Sequence, residues 1–246
     1  MSPALRGILL MVAAVGVFVS MDTIAKYLTR WYPVPLIVWA RYVANLVLLL
    51  AFLAARGELR LLRSARPGLQ FARGLQVLPT PKGENVVIIT GAGGSGVLLS
   101  DACVDNELAL MKFSPDIDAA FRKFIPPFGA AGNPVDITGG EPPTTYANTI
   151  RYALNEPRIH ALILGYWHTI ITPPMVFAKL CAEVVEEARA KGIDKPVVAS
   201  LVGDVQVEEA SDYLYERCIV AYPYTTELPV AVLGAKYKWA RGAGLV

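Results

Sequence analysis

Apolar residues are distributed in two regimes along this chain, and the change falls near residue 80. Before it they come in long runs. Residues 7–21 are uncharged and apolar, and the run continues through Asp22, Lys26 and Leu28; residues 36–55 form a second run with a single charge, Arg41. Each run is about 20 residues long, the length of a helix that crosses a bilayer. The segment 29–35 between them carries Trp31 and Tyr32, which suit a membrane interface, and Arg56, Arg60, Arg63 and Arg66 follow the second run. By the positive-inside rule this predicts a two-helix transmembrane hairpin over residues 1–66, with both ends on the cytoplasmic side of the inner membrane. Asp22 and Lys26 are spaced to pair on one helix face, and Arg41 to snorkel.

From Pro81 onward, short apolar runs alternate with amphipathic stretches. Residues 85–90, 108–113, 160–165, 196–201 and 219–222 read as buried strands. Residues 97–106, 114–124, 144–154, 174–191, 207–217 and 226–241 read as helices, and 133–140 as a loop. Strands alternating with helices predict a doubly wound parallel α/β sheet. The lead of about 165 residues is long enough for one such core.

Charge sharpens the division. The first 78 residues hold nine Lys/Arg against two acids, a net +7, whereas the remainder is at −5. The near-neutral total conceals that split and gives no sign of a nucleic-acid partner. The three cysteines, Cys103, Cys181 and Cys218, have neither metal-ligand nor redox-motif spacing, and buried thiols are expected.

The glycine-rich turn after the first strand carries the most chemistry. Gly91, Gly93 and Gly96, with Gly94 and Ser95 between them, match G-x-G-x-x-G at a strand-to-helix junction. Glycines there let backbone N–H groups and a helix start approach a phosphate. A nicotinamide site also requires an acid at the tip of the second strand, but the run at 108–113 ends in Met111, Lys112, Phe113 and Ser114. A phosphate-like anion therefore fits better, beside the bland alternative of a tight turn with no ligand. The loop Asn133-Pro-Val-Asp136-Ile-Thr138-Gly-Gly140 joins turn formers with one carboxylate; capping a helix or orienting a ligand are both open to it. His160 opens a strand and His168 follows one, and neither has glycine neighbours of the kind a nucleophilic loop would have.

Together the two loops resemble a known family. Thr90-Gly-Ala-Gly-Gly-Ser-Gly96, Asp101-Ala in the next helix, and Asn133-Pro-Val-Asp-Ile-Thr-Gly139 are similar to the succinyl-CoA-synthetase-like flavodoxin (CoA-ligase) domain of NDP-forming acetate and acyl-CoA synthetases. The resemblance covers 81–246 and implies a flavodoxin-like fold. It implies that Gly91, Gly93, Gly94, Ser95 and Gly96 present a helix start to a phosphohistidine, with Asn133, Asp136 and Thr138 on the neighbouring loop. The cofactors it implies are CoA, ATP/ADP, phosphate and, in the complete enzyme, Mg2+. The phosphohistidine, CoA-binding and ATP-grasp domains would come from a partner, so no complete acid–thiol ligase reaction is expected of this chain alone.

Residues 1–75, through Asp22-Thr-Ile-Ala-Lys26 and Trp39-Ala-Arg41-Tyr, resemble the first two helices of an EamA-type drug/metabolite transporter. A lipid bilayer is then a second partner. The alternative function is a truncated transporter fragment with an incidental soluble tail. Residues 67–80 form the linker where the two resemblances meet, which suggests a gene fusion or an assembly chimera; two separate full-length genes at the source locus would identify the latter.

Overall fold

The computed structural model describes residues 3–56, 74–75 and 77–246. The chain divides into two compact units, Met1–Ala65 and Arg66–Val246.

In the first unit α1 (Pro3–Leu28) and α2 (Val34–Arg56) form over the two apolar runs. The turn between them is closed by the Tyr32 N–H donating to the Leu28 carbonyl and by the Thr29 hydroxyl donating to that of Lys26. Two helices are therefore present where two were expected, but their membrane-spanning character is not. Among the described residues no helix is long and apolar enough to cross a membrane. A crossing needs about 20 consecutive apolar residues, and charges interrupt both runs, Asp22 and Lys26 in α1 and Arg41 in α2. The expected transmembrane hairpin, with the bilayer as partner and the inner membrane as location, has no support here. Arg60, Arg63 and Arg66 of the basic flank, and residues 67–73 and 76 of the linker, lie outside the described residues.

The second unit is built on five strands: β1 (Val86–Thr90), β2 (Val135–Asp136), β3 (Ala161–Trp167), β4 (Val197–Val202) and β5 (Val220–Pro223). All pair in parallel, in the order β2-β1-β3-β4-β5. This is the flavodoxin-like arrangement, whose chain reverses its winding direction between β1 and β3. The intervening helices are α3 (Gly93–Asp105), α4 (Pro115–Arg122), α5 (Pro143–Asn155), α6 (Pro174–Ala190), α7 (Gln206–Glu216) and α8 (Glu227–Gly242). The strands are apolar without alternation because both faces are covered; β1 is buried from end to end. On one face Leu99 and Cys103 of α3 pack with Val230, Leu233 and Tyr237 of α8. On the other, Phe121, Ile150, Phe177 and Leu214 bring α4, α5, α6 and α7 into one core.

The second strand is not where the apolar run at 108–113 placed it. That run contributes one isolated bridge, Leu110 to Val86, while β2 lies in the segment expected to be a loop. Asn133 explains the exchange. Its Oδ1 accepts the Ile88 N–H at 2.9 Å, and its Nδ2 donates to the carbonyls of Val86 at 2.8 Å and Met111 at 3.1 Å. The Asn133 side chain thus shares the first half of the β1 edge with the backbone of Ala109 and Met111, and β2 pairs only with Ile89 and Thr90. The structure also starts α3 in the glycines, at Gly93, four residues before the expected helix.

At the opposite edge His160 holds the start of β1. Its Nδ1 accepts the Asn85 N–H at 3.0 Å, and its ring packs against Gly83. That bond requires a neutral ring. Burial first, then the charge of Lys195, lowers the His160 pKa below its ordinary value, against an opposing effect of Glu84. The folded chain takes up this proton less readily than the unfolded one. The stability contributed is complete above about pH 6.5 and is lost as pH falls through the lowered folded pKa. Denaturant midpoints should therefore decline as pH is lowered from about 6.5 to about 5, and His160→Gln should flatten that decline. A slope unchanged by the substitution would assign it to other groups.

Candidate functional site

The C-terminal ends of the strands form the edge at which open α/β sheets bind ligands. Its centre is the turn from β1 into α3, where every backbone donor but three is used. The Gly91 N–H donates to Gly165 across the β1–β3 ladder at 3.2 Å, and the Ala92 N–H to the Thr90 hydroxyl at 3.0 Å. That hydroxyl in turn donates to the Ala92 carbonyl, which closes the turn. The first helical bond of α3 runs from the Gly96 N–H to Ala92 at 3.1 Å. Among the described residues, the N–H groups of Gly93, Gly94 and Ser95 have no partner, and Ala92 provides no side-chain cap. A helix start with free N–H groups and a positive dipole end attracts an anion.

There is room for one. A Cβ built on Gly94 meets nothing within 4 Å, and one on Gly93 meets only Oδ2 of Asp136, at 2.9 Å. Two hydroxyls nearby are buried with no hydrogen-bond partner, Ser95 Oγ and Thr138 Oγ1. Gly91 and Gly96 have another purpose. A side chain on Gly91 would strike the Tyr146 hydroxyl, and one on Gly96 would press Thr90 and Pro134. These two glycines are required by packing, whereas Gly94 leaves open space and Gly93 lets the Asp136 carboxylate lie against the helix start.

The loop after β2 borders the turn. Asp136 Oδ1 accepts the Thr138 N–H at 2.9 Å, and Thr138 holds the left-handed conformation at φ 65°, which costs a β-branched residue energy and recurs at functional loops. Gly139 passes so close to Gly91 that a Cβ there would lie 3.2 Å from its carbonyl oxygen. Asp136, Thr138 and Gly91–Ser95 are thus one constellation. Asn133 is outside it, with both side-chain polar atoms engaged in the sheet. The acid at the tip of the second strand is Asp136, and it lies against the helix start itself.

Three aromatic rings support this floor. Phe177 stacks on Tyr166 at 4.4 Å and meets Tyr146 edge-on at 5.0 Å. The Tyr146 hydroxyl lies under Gly91, and burial, with smaller effects of Cys181 and Tyr166, pushes its pKa far above the ordinary tyrosine value. The Tyr166 hydroxyl donates to Thr172 at 2.6 Å and so fixes the loop after β3. Nothing in the sequence pattern marked Tyr146 for this, since core packing explains an aromatic residue equally well. His168 Nδ1 pairs with Asp204 Oδ1 at 3.1 Å across the loops after β3 and β4. Of the two histidines, then, His160 belongs to the far edge of the sheet and His168 to this one. The described residues include no group of three or more His, Cys, Asp or Glu able to hold a metal ion.

Residues 86–246 match the Ligase-CoA domain family. Over 171 residues the chain is 39% identical to the alpha subunit of the ADP-forming acetate–CoA ligase I of Pyrococcus furiosus, covering 70% of this chain and 36% of the relative. It is 33% identical over 162 residues to the ADP-forming acetate–CoA ligase of Methanocaldococcus jannaschii, covering 66% of this chain and 23% of that protein. Among solved structures, the dinucleotide-forming acetyl-coenzyme A synthetase 1 of Ca. Korarchaeum cryptofilum superposes with a TM-score of 0.68 at 34% identity, over 74% of this chain and 39% of its own. A second structure of that synthetase, in complex with phosphate and ADP, gives 0.67. The chain thus spans from 23% to 39% of the length of these relatives, and the transporter resemblance of residues 1–75 finds no support beside them.

Asn133→Ala should cost about 3 kcal/mol of stability, because it strands the Ile88 N–H and leaves the Met111 carbonyl without its donor, while the Val86 carbonyl keeps the Met111 N–H. It should leave the environment of the Gly94 amide, read by NMR, unchanged. Perturbation of Gly94 without loss of stability would instead place Asn133 in the site.

Proposed function

Because the chain belongs to the Ligase-CoA domain family, we propose that it is one module of an NDP-forming acyl-CoA synthetase. The start of α3 stabilises a phosphoryl group that another domain presents on a histidine. The observation that carries this reading is the set of three unpartnered N–H groups at Gly93, Gly94 and Ser95, with open space at Gly94 and with two orphaned hydroxyls, Ser95 Oγ and Thr138 Oγ1. Acyl-CoA synthesis by such enzymes moves a phosphoryl group between an acyl phosphate, a histidine and ADP, while CoA accepts the acyl group. Donors fixed in advance stabilise the phosphoryl oxygens without reorganising during transfer. The hydroxyls of Ser95 and Thr138 add donors that backbone geometry alone would not provide. Asp136 tethers the Thr138 loop and keeps it against the helix start. CoA, ATP or ADP and Mg2+ would be held by the partner domains, as would the phosphohistidine. Neither His160, engaged by Asn85, nor His168, engaged by Asp204, is assigned the nucleophile's role. The transporter alternative has no observation in its favour.

The test is acyl-CoA formation from acetate, ATP and CoA by the full chain. It is run alone and then with a related synthetase from which the Ligase-CoA domain has been deleted. Activity is expected only in the mixture. Gly94→Trp, which fills the space before the helix, should lower it by about 100-fold, the effect of removing fixed donors from a developing charge. Gly94→Ala, at a position with no neighbour for a Cβ, should leave the fold intact and act as the control. Full activity of the Gly94→Trp mixture would reject the proposed role of the helix start.

A further inference from the structure

The edge that carries this site has an unusual charge pattern. In the loops after the five strands and the first turns of the helices they feed, there is no lysine and no arginine. The same segments, with the tip of β2, hold Asp136, Glu141, Asp204, Glu208, Glu209 and Glu227. Four of these, Asp204, Glu208, Glu209 and Glu227, are exposed. Helix starts favour acids in their first turn, which accounts for Glu208 and Glu209 in α7 and Glu227 in α8. It does not account for the absence of cations around α3, whose first turn has no acid of its own. A site for a free phosphate or nucleotide ordinarily adds Lys or Arg to the backbone donors. Here the nearest side-chain charge is the Asp136 carboxylate, which repels a free dianion.

Apolar side chains stand exposed on the same edge. Ile170 is 98% exposed and Ile171 51%, at the tip of the loop after β3. That loop is anchored through the Tyr166 hydroxyl to Thr172 and through the Thr172 N–H to the Thr169 hydroxyl at 3.2 Å. Two isoleucines are therefore held in water by a fixed loop rather than by a mobile one. Trp167, Val205 and Tyr224 continue the exposed surface across the ends of β3, β4 and β5. Tyr224 holds φ 65°, and its hydroxyl is fixed on Glu208 at 3.1 Å. Several large apolar side chains exposed on one edge of a well-packed domain mark a protein contact.

We infer that this acidic, apolar edge is a docking face for a protein domain whose own surface is basic and apolar. The inference rests on the proposed role of the helix start and adds the nature of the partner surface. The partner supplies the positive charge that this chain leaves out, so the anion site is complete only when the two surfaces meet. Ile170 and Ile171 provide the apolar anchor, and the carboxylates around them select and steer the approaching surface.

The test measures binding of the full chain to the remainder of a related synthetase's alpha subunit, with its own Ligase-CoA domain deleted and without ATP. Sedimentation or calorimetry at increasing salt provides the readout. Binding should weaken as salt rises. Ile170→Glu should weaken it by about tenfold or more, and Glu208→Lys with Glu209→Lys, both at exposed positions, by a similar factor; circular dichroism should show each variant folded. Binding insensitive to salt and to all three substitutions would overturn the inference, as would sub-millimolar binding of inorganic phosphate or a nucleic acid to the chain by itself. Docking that behaves as expected while Gly94→Trp retains full activity would uphold the docking face and reject the phosphoryl role. Activity dependent on Gly94, with docking indifferent to Ile170 and to charge, would do the reverse.

Discussion

Three backbone N–H groups at the start of α3, pointing out of the sheet edge without a partner, are the constraint on which the rest of this domain depends. A donor with no acceptor in the protein must find water or a ligand. The surroundings keep these three in that state. Thr90 closes the turn before them, the Gly96 N–H opens the helical ladder after them, and Gly94 leaves the space in front of it empty. Behind the turn, Gly165 lets β3 come so close to β1 that a Cβ there would stand 2.9 Å from Leu99 and from the Thr90 hydroxyl. The core is thus packed up to the turn, and the aromatic group of Tyr146, Tyr166 and Phe177 fixes the two loops beside it. Binding geometry and core packing are set by the same residues, so the site is organised before any ligand arrives.

Much of the architecture was legible in the sequence, for a physical reason. Strands buried on both faces are continuous apolar runs, and β1, β3, β4 and β5 lie where such runs occur. The helices between them announce themselves by amphipathic spacing and by Pro115, Pro143 and Pro174 at their starts. β2 was not legible. It is two residues long, and Asn133 does with a side chain what a longer strand would do with its backbone. The run at 108–113 had the composition of a strand but was left one bridge to make. In the site, the glycine turn, Asp136 and Thr138 were found by motif and lie together. Asn133 belonged to the same motif but serves the sheet. Tyr146 and the His168–Asp204 pair are assembled only by long-range folding, and no spacing along the chain reports them.

The first unit shows the limit of composition. Residues 7–21 and 36–55 predict helices correctly, because long apolar stretches of good helix formers give helices in many settings. The further step to a membrane crossing requires an uninterrupted apolar length that the described parts of α1 and α2 do not provide. The charge contrast between the two parts of the chain remains a property of the sequence, and in the second unit the excess of acids lies on the edge that holds the anion site. Local fields, rather than the net charge of the chain, decide what that edge accepts.

The central claim is that the free donors of α3 receive a phosphoryl group presented by another domain. It is tested most directly by following the backbone amide resonances of Gly93, Gly94 and Ser95 in the 15N-labelled full chain as a phosphorylated and an unphosphorylated partner domain are added in turn. The account predicts that these three amides shift downfield with the phosphorylated partner and move far less with the unphosphorylated one, while the Gly165 amide is unchanged. Equal responses to both forms, or none at the three amides despite docking, would contradict it.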